Sequence, residues 1–173
     1  MPLDRIGSRH FRLRKLSGRT LQGVIAMRGT EASRLALAAG AALVAFCAGD
    51  LAWLGFVARD LYAHEIGALL KPPDLVAAAL FYALYLTGLV LYAVRGASES
   101  ASPIAGAGRR GAAFGFFCYM SYDLTNLATL AGWSRAITAI DIAWGTVLSA
   151  SAAMVGAAVL AARRPRDKEA LRP

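Results

Sequence analysis

Four long apolar runs restrict the folds that are open to this sequence. They cover residues 35–57, 75–94, 111–130 and 137–162. A helix needs about 20 mainly apolar residues to cross a bilayer core. Because hydrocarbon offers backbone amides no water, each run must close its hydrogen bonds within itself as a helix. The sequence therefore predicts an all-α integral membrane protein, a bundle of four transmembrane helices forming one membrane domain at residues 34–163.

Basic residues flank the runs unevenly and predict the orientation. They precede the first run, occupy the second connection and follow the fourth run: Arg5, Arg9, Arg12, Arg14, Lys15, Arg19, Arg28 and Arg34; Arg95, Arg109 and Arg110; Arg163, Arg164, Arg166, Lys168 and Arg172. By the positive-inside rule these segments are cytoplasmic, so both termini are inside. We expect basic cytoplasmic tails at residues 1–33, disordered, and 164–173, with Met27 as an alternative start.

The formal net charge of +8 suggests an anionic partner. Basic residues beside membrane spans are explained by anionic lipid headgroups and need no nucleic acid. The expected partner is therefore the lipid bilayer, and we expect no nucleic acid.

Three aspartates, Asp50, Asp123 and Asp141, lie inside separate apolar runs. A carboxylate near the bilayer centre costs about 2.5 to 3.5 kcal/mol on insertion scales, so the three must share a protein-lined or hydrated interior. The first and fourth runs share the pattern D-x-x-W, and the second and third share Y-x-x-Y. A spacing of three places each pair on one helical face.

Depths counted from each run's midpoint place these polar groups in one half of the bilayer. We therefore expect an outward-facing pocket lined by Asp50, Trp53, Tyr82, Tyr85, Tyr119, Tyr122, Asp123, Thr125, Asn126, Asp141 and Trp144. Carboxylates near each other cannot all stay ionised in a low dielectric, so we expect one of them, Asp123 as the deepest, to hold a proton unless a cation is bound.

Small residues on the third and fourth runs predict close helix packing at the other end. They are Gly111, Gly115, Gly145 and Gly156. Between the first two runs, Tyr62, Ile66, Leu69 and Leu70 recur at helical spacing and predict a short interfacial helix that ends before Pro72, with Asp74 capping the second span. His64 and Glu65 on this helix would lie at the mouth of the pocket, unless they belong only to an exposed polar face.

Other motifs that would carry chemistry do not occur in the sequence. Cys47 and Cys118 both lie in predicted spans and form no disulfide framework or zinc spacing. No phosphate loop, H-E-x-x-H or G-x-S-x-G pattern occurs. We therefore expect no metal and no cofactor. Whether the protein is an enzyme stays open, and the absence of these motifs in the sequence argues against it.

Four longer motifs together resemble a known family. They are D-x-x-W-L at Asp50 to Leu54, F-Y-x-x-Y at Phe81 to Tyr85, Y-D-L-T-N at Tyr122 to Asn126 and D-x-x-W-G at Asp141 to Gly145. Over residues 38–163 the chain resembles a bacterial family of short four-span predicted membrane proteins, domain of unknown function 2177. The resemblance implies a multi-pass protein of the bacterial cytoplasmic (inner) membrane with no established activity. It also implies genes near lipid-modifying enzymes similar to cyclopropane-fatty-acid synthases.

Three functions remain open at this point. The first is binding or translocation of a small cation, a proton or a lipid-related ligand, with a homo-oligomer expected because four spans are few for a transporter. The second is a non-catalytic accessory protein for a membrane-lipid enzyme, in which the aspartates act as structural polar glue. The third, less favoured, is a membrane-embedded enzyme acting on lipid with an aspartate as general base.

Overall fold

The described part of the chain is built from five α-helices. A computed structural model describes the backbone of residues 18–163 and the side chains of residues 29–163. The helices are α1 (Gly18–Ala52), α2 (Arg59–Ile66), α3 (Leu75–Leu89), α4 (Pro103–Thr129) and α5 (Arg135–Ala162). No strand occurs among these residues, so the all-α class is confirmed. The expectations for residues 1–17 and 164–173 concern residues outside the described part.

Three helical segments are long and apolar enough to cross a membrane. They are Gly29–Val57, Leu75–Arg95 and Arg135–Ala162, and they correspond to the first, second and fourth predicted spans. Helix α4 has 27 residues, which is long enough, but it is less apolar than the other three. The four-span count and the orientation therefore stay predictions.

Two helices begin earlier than the apolar runs suggested. Helix α4 begins at Pro103 rather than near residue 111, and proline is favoured at the first helical position, where its missing N–H is not needed. Helix α1 begins at Gly18, so the expectation of a disordered tail does not hold for residues 18–33. Hydropathy marks the part of a helix that fits hydrocarbon, whereas a helix can continue beyond it into polar surroundings.

Helices α1 and α3 each continue into a π-helical turn, Trp53–Val57 and Val90–Arg95. The N–H of Ala58 donates to the carbonyl of Trp53 at 2.8 Å and closes the first of these turns. Such turns occur frequently at functional sites because they shift the side chains that follow. The first one starts directly after the helical turn that carries Asp50.

Two helix starts are capped by side chains. Asp74 accepts hydrogen bonds from the N–H groups of Val76 at 3.0 Å and Ala77 at 3.1 Å, as the sequence predicted for the start of α3. Ser134 accepts from Ala136 at 3.1 Å and Ile137 at 3.4 Å at the start of α5. The helix predicted between the first two spans is present as α2.

The chain divides into two compact units, Met1–Ala32 and Ser33–Pro173. In the first unit, residues 18–32 are helical. In the second unit, α4 and α5 share the most extensive contact. A Cβ atom added at Gly111 would lie 2.6 Å from the carbonyl oxygen of Ser149, and one at Gly145 would overlap the ring of Tyr119. Small residues thus let these two helices approach closely.

The second unit has a small core and many outward-facing apolar side chains. Phe46 and Leu89 are fully buried, whereas Phe56 is 86% exposed and Leu84 is 73% exposed. Exposed apolar side chains on long helices are stable where lipid surrounds them. Gly156 lies in this core, where an added Cβ would be 3.1 Å from the carbonyl oxygen of Ala38 on α1.

Candidate functional site

The three intramembrane aspartates are all buried. Asp50 on α1 and Asp141 on α5 are each 7% exposed, and Asp123 on α4 is 0% exposed. Burial removes the water that would solvate a carboxylate, so each group depends on protein donors, a proton or a cation. The partners of the three groups differ, and this difference defines the site.

Asp50 is held by a tyrosine of the second span. The hydroxyl of Tyr82 on α3 donates to Oδ2 of Asp50 at 2.7 Å. The ring of Tyr82 packs edge-on against Phe46, with centroids 6.2 Å apart. The sequence placed both Asp50 and Tyr82 in one site, and the structure joins them directly.

Asp141 is held by a residue outside the spans. The hydroxyl of Tyr62 on α2 donates to Oδ1 of Asp141 in a short hydrogen bond. Burial raises the pKa of Tyr62 well above its usual value, and the hydrogen bond to Asp141 and the charges of Asp141 and Asp123 raise it further. Tyr62 therefore lies near two of the three carboxyl groups.

Sequence reasoning did not assign Tyr62 to the site. It used Tyr62 only as part of the apolar face of α2. The available signal was that Tyr62 is a polar aromatic residue on that face, and a buried tyrosine hydroxyl usually needs a partner.

Asp123 has no hydrogen-bond partner among the described residues. Both of its carboxyl oxygens are buried and unpaired. It lies on the buried stripe of α4 that contains Gly111, Gly115 and Tyr119, each four residues from the next. This stripe faces α5, so the close packing of the two helices is what buries Asp123.

The two D-x-x-W motifs meet through their tryptophans. The rings of Trp53 and Trp144 stack with centroids 4.4 Å apart and planes within 10° of parallel. Both indole N–H groups are buried and have no hydrogen-bond partner within the described part of the chain. The stack joins the π-helical turn after α1 to the N-terminal half of α5.

Tyr85 lies in the same region but contacts a different polar group. Its hydroxyl is 2.6 Å from Oγ of Ser149, which also donates to the carbonyl of Gly145 at 2.6 Å. Its ring packs edge-on against Tyr119, with centroids 6.2 Å apart. Tyr85 and Tyr119 thus pack against each other, and Ser149 is a polar partner of Tyr85 that the sequence did not place in the pocket.

Three expected pocket residues are not brought to the carboxyl groups by hydrogen bonds. Tyr122 is 59% exposed and packs edge-on against Trp133. Thr125 is exposed and donates to the carbonyl of Ser121 in its own helix at 2.6 Å. Asn126 is half-buried, and its backbone carbonyl accepts from Leu130 at 2.8 Å. The stripe facing α5 repeats every four residues, so Tyr122 turns outward.

Glu65 attaches α2 to the start of α5. Oε2 of Glu65 accepts a short hydrogen bond from the hydroxyl of Ser134. This bond lowers the pKa of Glu65 from its usual value, with a smaller contribution from His64, whose Nδ1 is 3.3 Å from Oε1. The His64 side chain is 84% exposed. Tyr62 and Glu65 together fix α2 against α5 near Asp141.

Two cavities in the described part of the chain lie away from the aspartates. One is a groove of about 480 Å³ along α3 and α4, and the other is a void of about 10 Å³ beside Val94 and Leu160. None of the three aspartates lines either cavity. In the described residues, no three His, Cys, Asp or Glu side chains are grouped so that they could hold a metal ion. The three carboxyl groups are thus buried among packed helices.

Comparison with known proteins identifies one family. The model of a family described as predicted membrane protein (DUF2177) matches residues 35–158, as the sequence motifs indicated. No curated protein and no solved structure matches the chain.

Proposed function

The chain belongs to the DUF2177 family of predicted membrane proteins, and we propose that it binds a proton at a buried site formed by Asp50, Asp123 and Asp141. The carboxyl groups of the site come from α1, α4 and α5. Asp123 is the proton-binding group. Asp141, which is hydrogen-bonded to Tyr62 on α2, is the next group that the proton would reach. The small cation considered from the sequence is, in this proposal, the proton.

The state of Asp123 carries the proposal. Asp50 and Asp141 each accept a tyrosine hydroxyl, as a structural aspartate does. Asp123 is fully buried and accepts nothing from the described residues. An unpaired buried charge costs several kcal/mol, and a bound proton removes that charge without requiring more space.

The surroundings of Asp123 favour proton movement as well as binding. Tyr62 is bonded to Asp141 and lies close enough to Asp123 for its charge to act on the phenol. Asp, Glu and His side chains are the usual parts of intramembrane proton relays, and the site supplies Asp123 and Asp141. A proton leaving Asp123 would pass to Asp141 and reach the surface beside α2.

Helix α2 controls access in this proposal. Tyr62 and Glu65 hold it to α5 through two hydrogen bonds, to Asp141 and to Ser134. The outward-facing pocket expected from the sequence would then be a state in which these bonds open. Displacement of α2 by a few ångströms would expose Asp141 to water.

The topology proposed for this function has four spans with both termini in the cytoplasm. Helix α4, with 27 residues, is about 40 Å long, enough to cross a bilayer. It packs closely along α5, which is itself apolar enough to span. Asp123, on the face of α4 toward α5, is covered by protein, and the hydroxyls of Ser121 and Thr125 donate to carbonyls within α4. Both features compensate for the lower hydropathy of this helix.

An accessory role is the second candidate. The bonds from Tyr82 to Asp50 and from Tyr62 to Asp141 are the structural polar contacts that such a protein would use to hold its helices. In that case the partner would be a membrane-lipid enzyme, and protonation of Asp123 would have no functional consequence. Proton movement across the membrane distinguishes the two candidates.

Infrared spectroscopy tests proton binding directly. The full chain is reconstituted in lipid, and the C=O stretch of protonated carboxylic acids is compared between the wild type and Asp123→Asn at neutral pH. We expect a band in the wild type that Asp123→Asn removes. Glu99→Gln, an exposed carboxyl between α3 and α4, is the matched control and should keep the band. No band in the wild type, or an unchanged band in Asp123→Asn, would contradict the proposal.

Proteoliposomes carrying an entrapped pH-sensitive dye test proton movement. After an external pH step, wild-type vesicles should equilibrate faster than protein-free vesicles, whereas Asp123→Asn vesicles should not. If the infrared band is present and the wild type moves no protons, the accessory role is the better conclusion.

A further inference from the structure

A groove on the lipid-facing side of α3 and α4 is separate from the carboxyl site. It has a volume of about 480 Å³ and is lined by Gly88, Leu91, Tyr92, Ala113, Phe114, Phe117 and Cys118. Leu91 is 50% exposed and Phe117 is 60% exposed, so the groove is open along its length. An apolar groove of this size accepts an extended hydrocarbon chain.

A guanidinium group lies at one end of this groove. Arg110 precedes Ala113 by one helical turn of α4, and its guanidinium carbon is 5.5 Å from the ring centroid of Tyr92. A Cβ atom at Gly96 would be 3.0 Å from Nη1 of Arg110, so glycine at that position leaves room for the guanidinium. No carboxylate pairs with Arg110 among the residues that the structure describes. The charge thus lies over an aromatic ring and has no anionic partner in the described part of the chain.

We propose that the groove binds one acyl chain of an anionic phospholipid whose phosphate is bound by Arg110. The distance along α4 from Arg110 to Cys118 is about 12 Å, which accommodates a large part of an acyl chain. Arginine matches phosphate oxygens with two parallel hydrogen bonds, and basic groups between membrane helices select acidic headgroups. Apolar lining and a single unpaired cation at its end together fit this class of ligand.

The neighbouring residue offers a matched control. Arg109 is exposed, carries the same charge and is adjacent in sequence, but no ring contact with Tyr92 is found for it. A general attraction of basic residues for an acidic leaflet would act on both arginines alike. A specific site at the end of the groove requires Arg110 alone.

Native mass spectrometry of the full chain in non-ionic detergent tests this site. The protein is titrated with phosphatidylglycerol and with phosphatidylcholine of the same acyl chains. We expect one phosphatidylglycerol per chain to bind preferentially. Arg110→Gln should weaken its affinity about fivefold, the change that corresponds to about 1 kcal/mol per basic residue. Arg109→Gln removes the same charge without touching the groove and should change the affinity less than about twofold, which corresponds to about 0.4 kcal/mol.

A second pair of variants tests the acyl-chain part. Ala113→Phe fills the groove and should reduce binding of both lipids, whereas Ala143→Phe on an exposed face of α5 should reduce neither. Free glycerol 3-phosphate should not displace phosphatidylglycerol; displacement at equal concentration would assign the site to a soluble phosphate and overturn the lipid proposal. Equal effects of the two arginine variants would also overturn it.

One measurement needs no variant. Because the headgroup contact is electrostatic and near the surface, the preference of the wild type for phosphatidylglycerol over phosphatidylcholine should fall as salt rises. A preference that salt leaves unchanged would overturn the assignment to Arg110, even if Arg110→Gln fails to fold.

Discussion

Removing two buried carboxyl groups should have unequal effects, because only one of them has a protein partner. Asp50→Ala and Asp123→Ala delete the same atoms from two buried positions. Asp50→Ala also leaves the Tyr82 hydroxyl without its acceptor at 2.7 Å. An unsatisfied buried polar group costs about 1 to 3 kcal/mol. Asp123→Ala removes a group whose oxygens were already unpaired, so it brings no such cost.

The expected difference in unfolding free energy is therefore about 1 to 3 kcal/mol, with Asp50→Ala the less stable variant. For a chain of this size, 1 kcal/mol shifts the unfolding midpoint by about 2 to 4 °C, so the two midpoints should differ by roughly 2 to 12 °C. Cys47 and Cys118 are half-buried on α1 and α4, and a thiol-reactive fluorophore reports their exposure during heating in detergent.

A double-mutant cycle completes the test. Asp50→Ala combined with Tyr82→Phe should show a coupling of about 0.5 to 3 kcal/mol, because the two residues share a hydrogen bond. Asp123→Ala combined with Tyr82→Phe should be additive within about 0.5 kcal/mol. If Asp123→Ala is as destabilising as Asp50→Ala, Asp123 has a hydrogen-bond partner in the protein, and the argument that its carboxyl group needs a proton fails.

Three further predictions concern other parts of the fold. The pKa of Glu65 is lower in the folded state than its usual value. Its hydrogen bond to Ser134 therefore stabilises the protein fully above the usual glutamate pKa of about 4.3, and this stabilisation is lost as the pH falls through the lower folded-state pKa. In unfolding midpoints measured from pH 6 to pH 3, the decrease towards low pH should be smaller for Glu65→Gln than for the wild type. Gly145→Ala should destabilise the protein because its Cβ would overlap Tyr119, whereas Gly40→Ala, with open space around it, should stabilise it by about 0.4 to 1 kcal/mol; equal midpoints for the two variants would refute the packing argument. Reporter fusions after Pro72 and after Ser100 should report opposite sides of the membrane, the first outside and the second inside, and reports from one side would end the four-span proposal.

The family, the helical class and most helix positions follow from the sequence because they depend on local properties. Hydropathy over about 20 residues identifies spans whatever they pack against. Asp74 caps α3 as expected, since a cap involves only neighbouring backbone groups. The four motifs that begin at Asp50, Phe81, Tyr122 and Asp141 together identified the family that matches residues 35–158.

Two helices start before the positions that hydropathy predicted. Hydropathy located the apolar part of α4 but not its start at Pro103, because helix formation does not require an apolar environment. The same limit applies to α1, which extends back to Gly18.

The partners of the three carboxyl groups were decided only by the tertiary structure. Tyr62 and Asp141 are 79 residues apart, and no periodicity relates them. On α4 the sequence suggested a face containing Tyr122, whereas contact with α5 selected the stripe that contains Asp123. Spacing identifies which residues share a helix face, but the rotation of that face toward a neighbour depends on how side chains of distant helices fit together. For this reason the sequence could identify three aspartates that are costly to bury, and only the packing of the helices could distinguish the two that have hydrogen-bond partners from Asp123, which has none among the described residues.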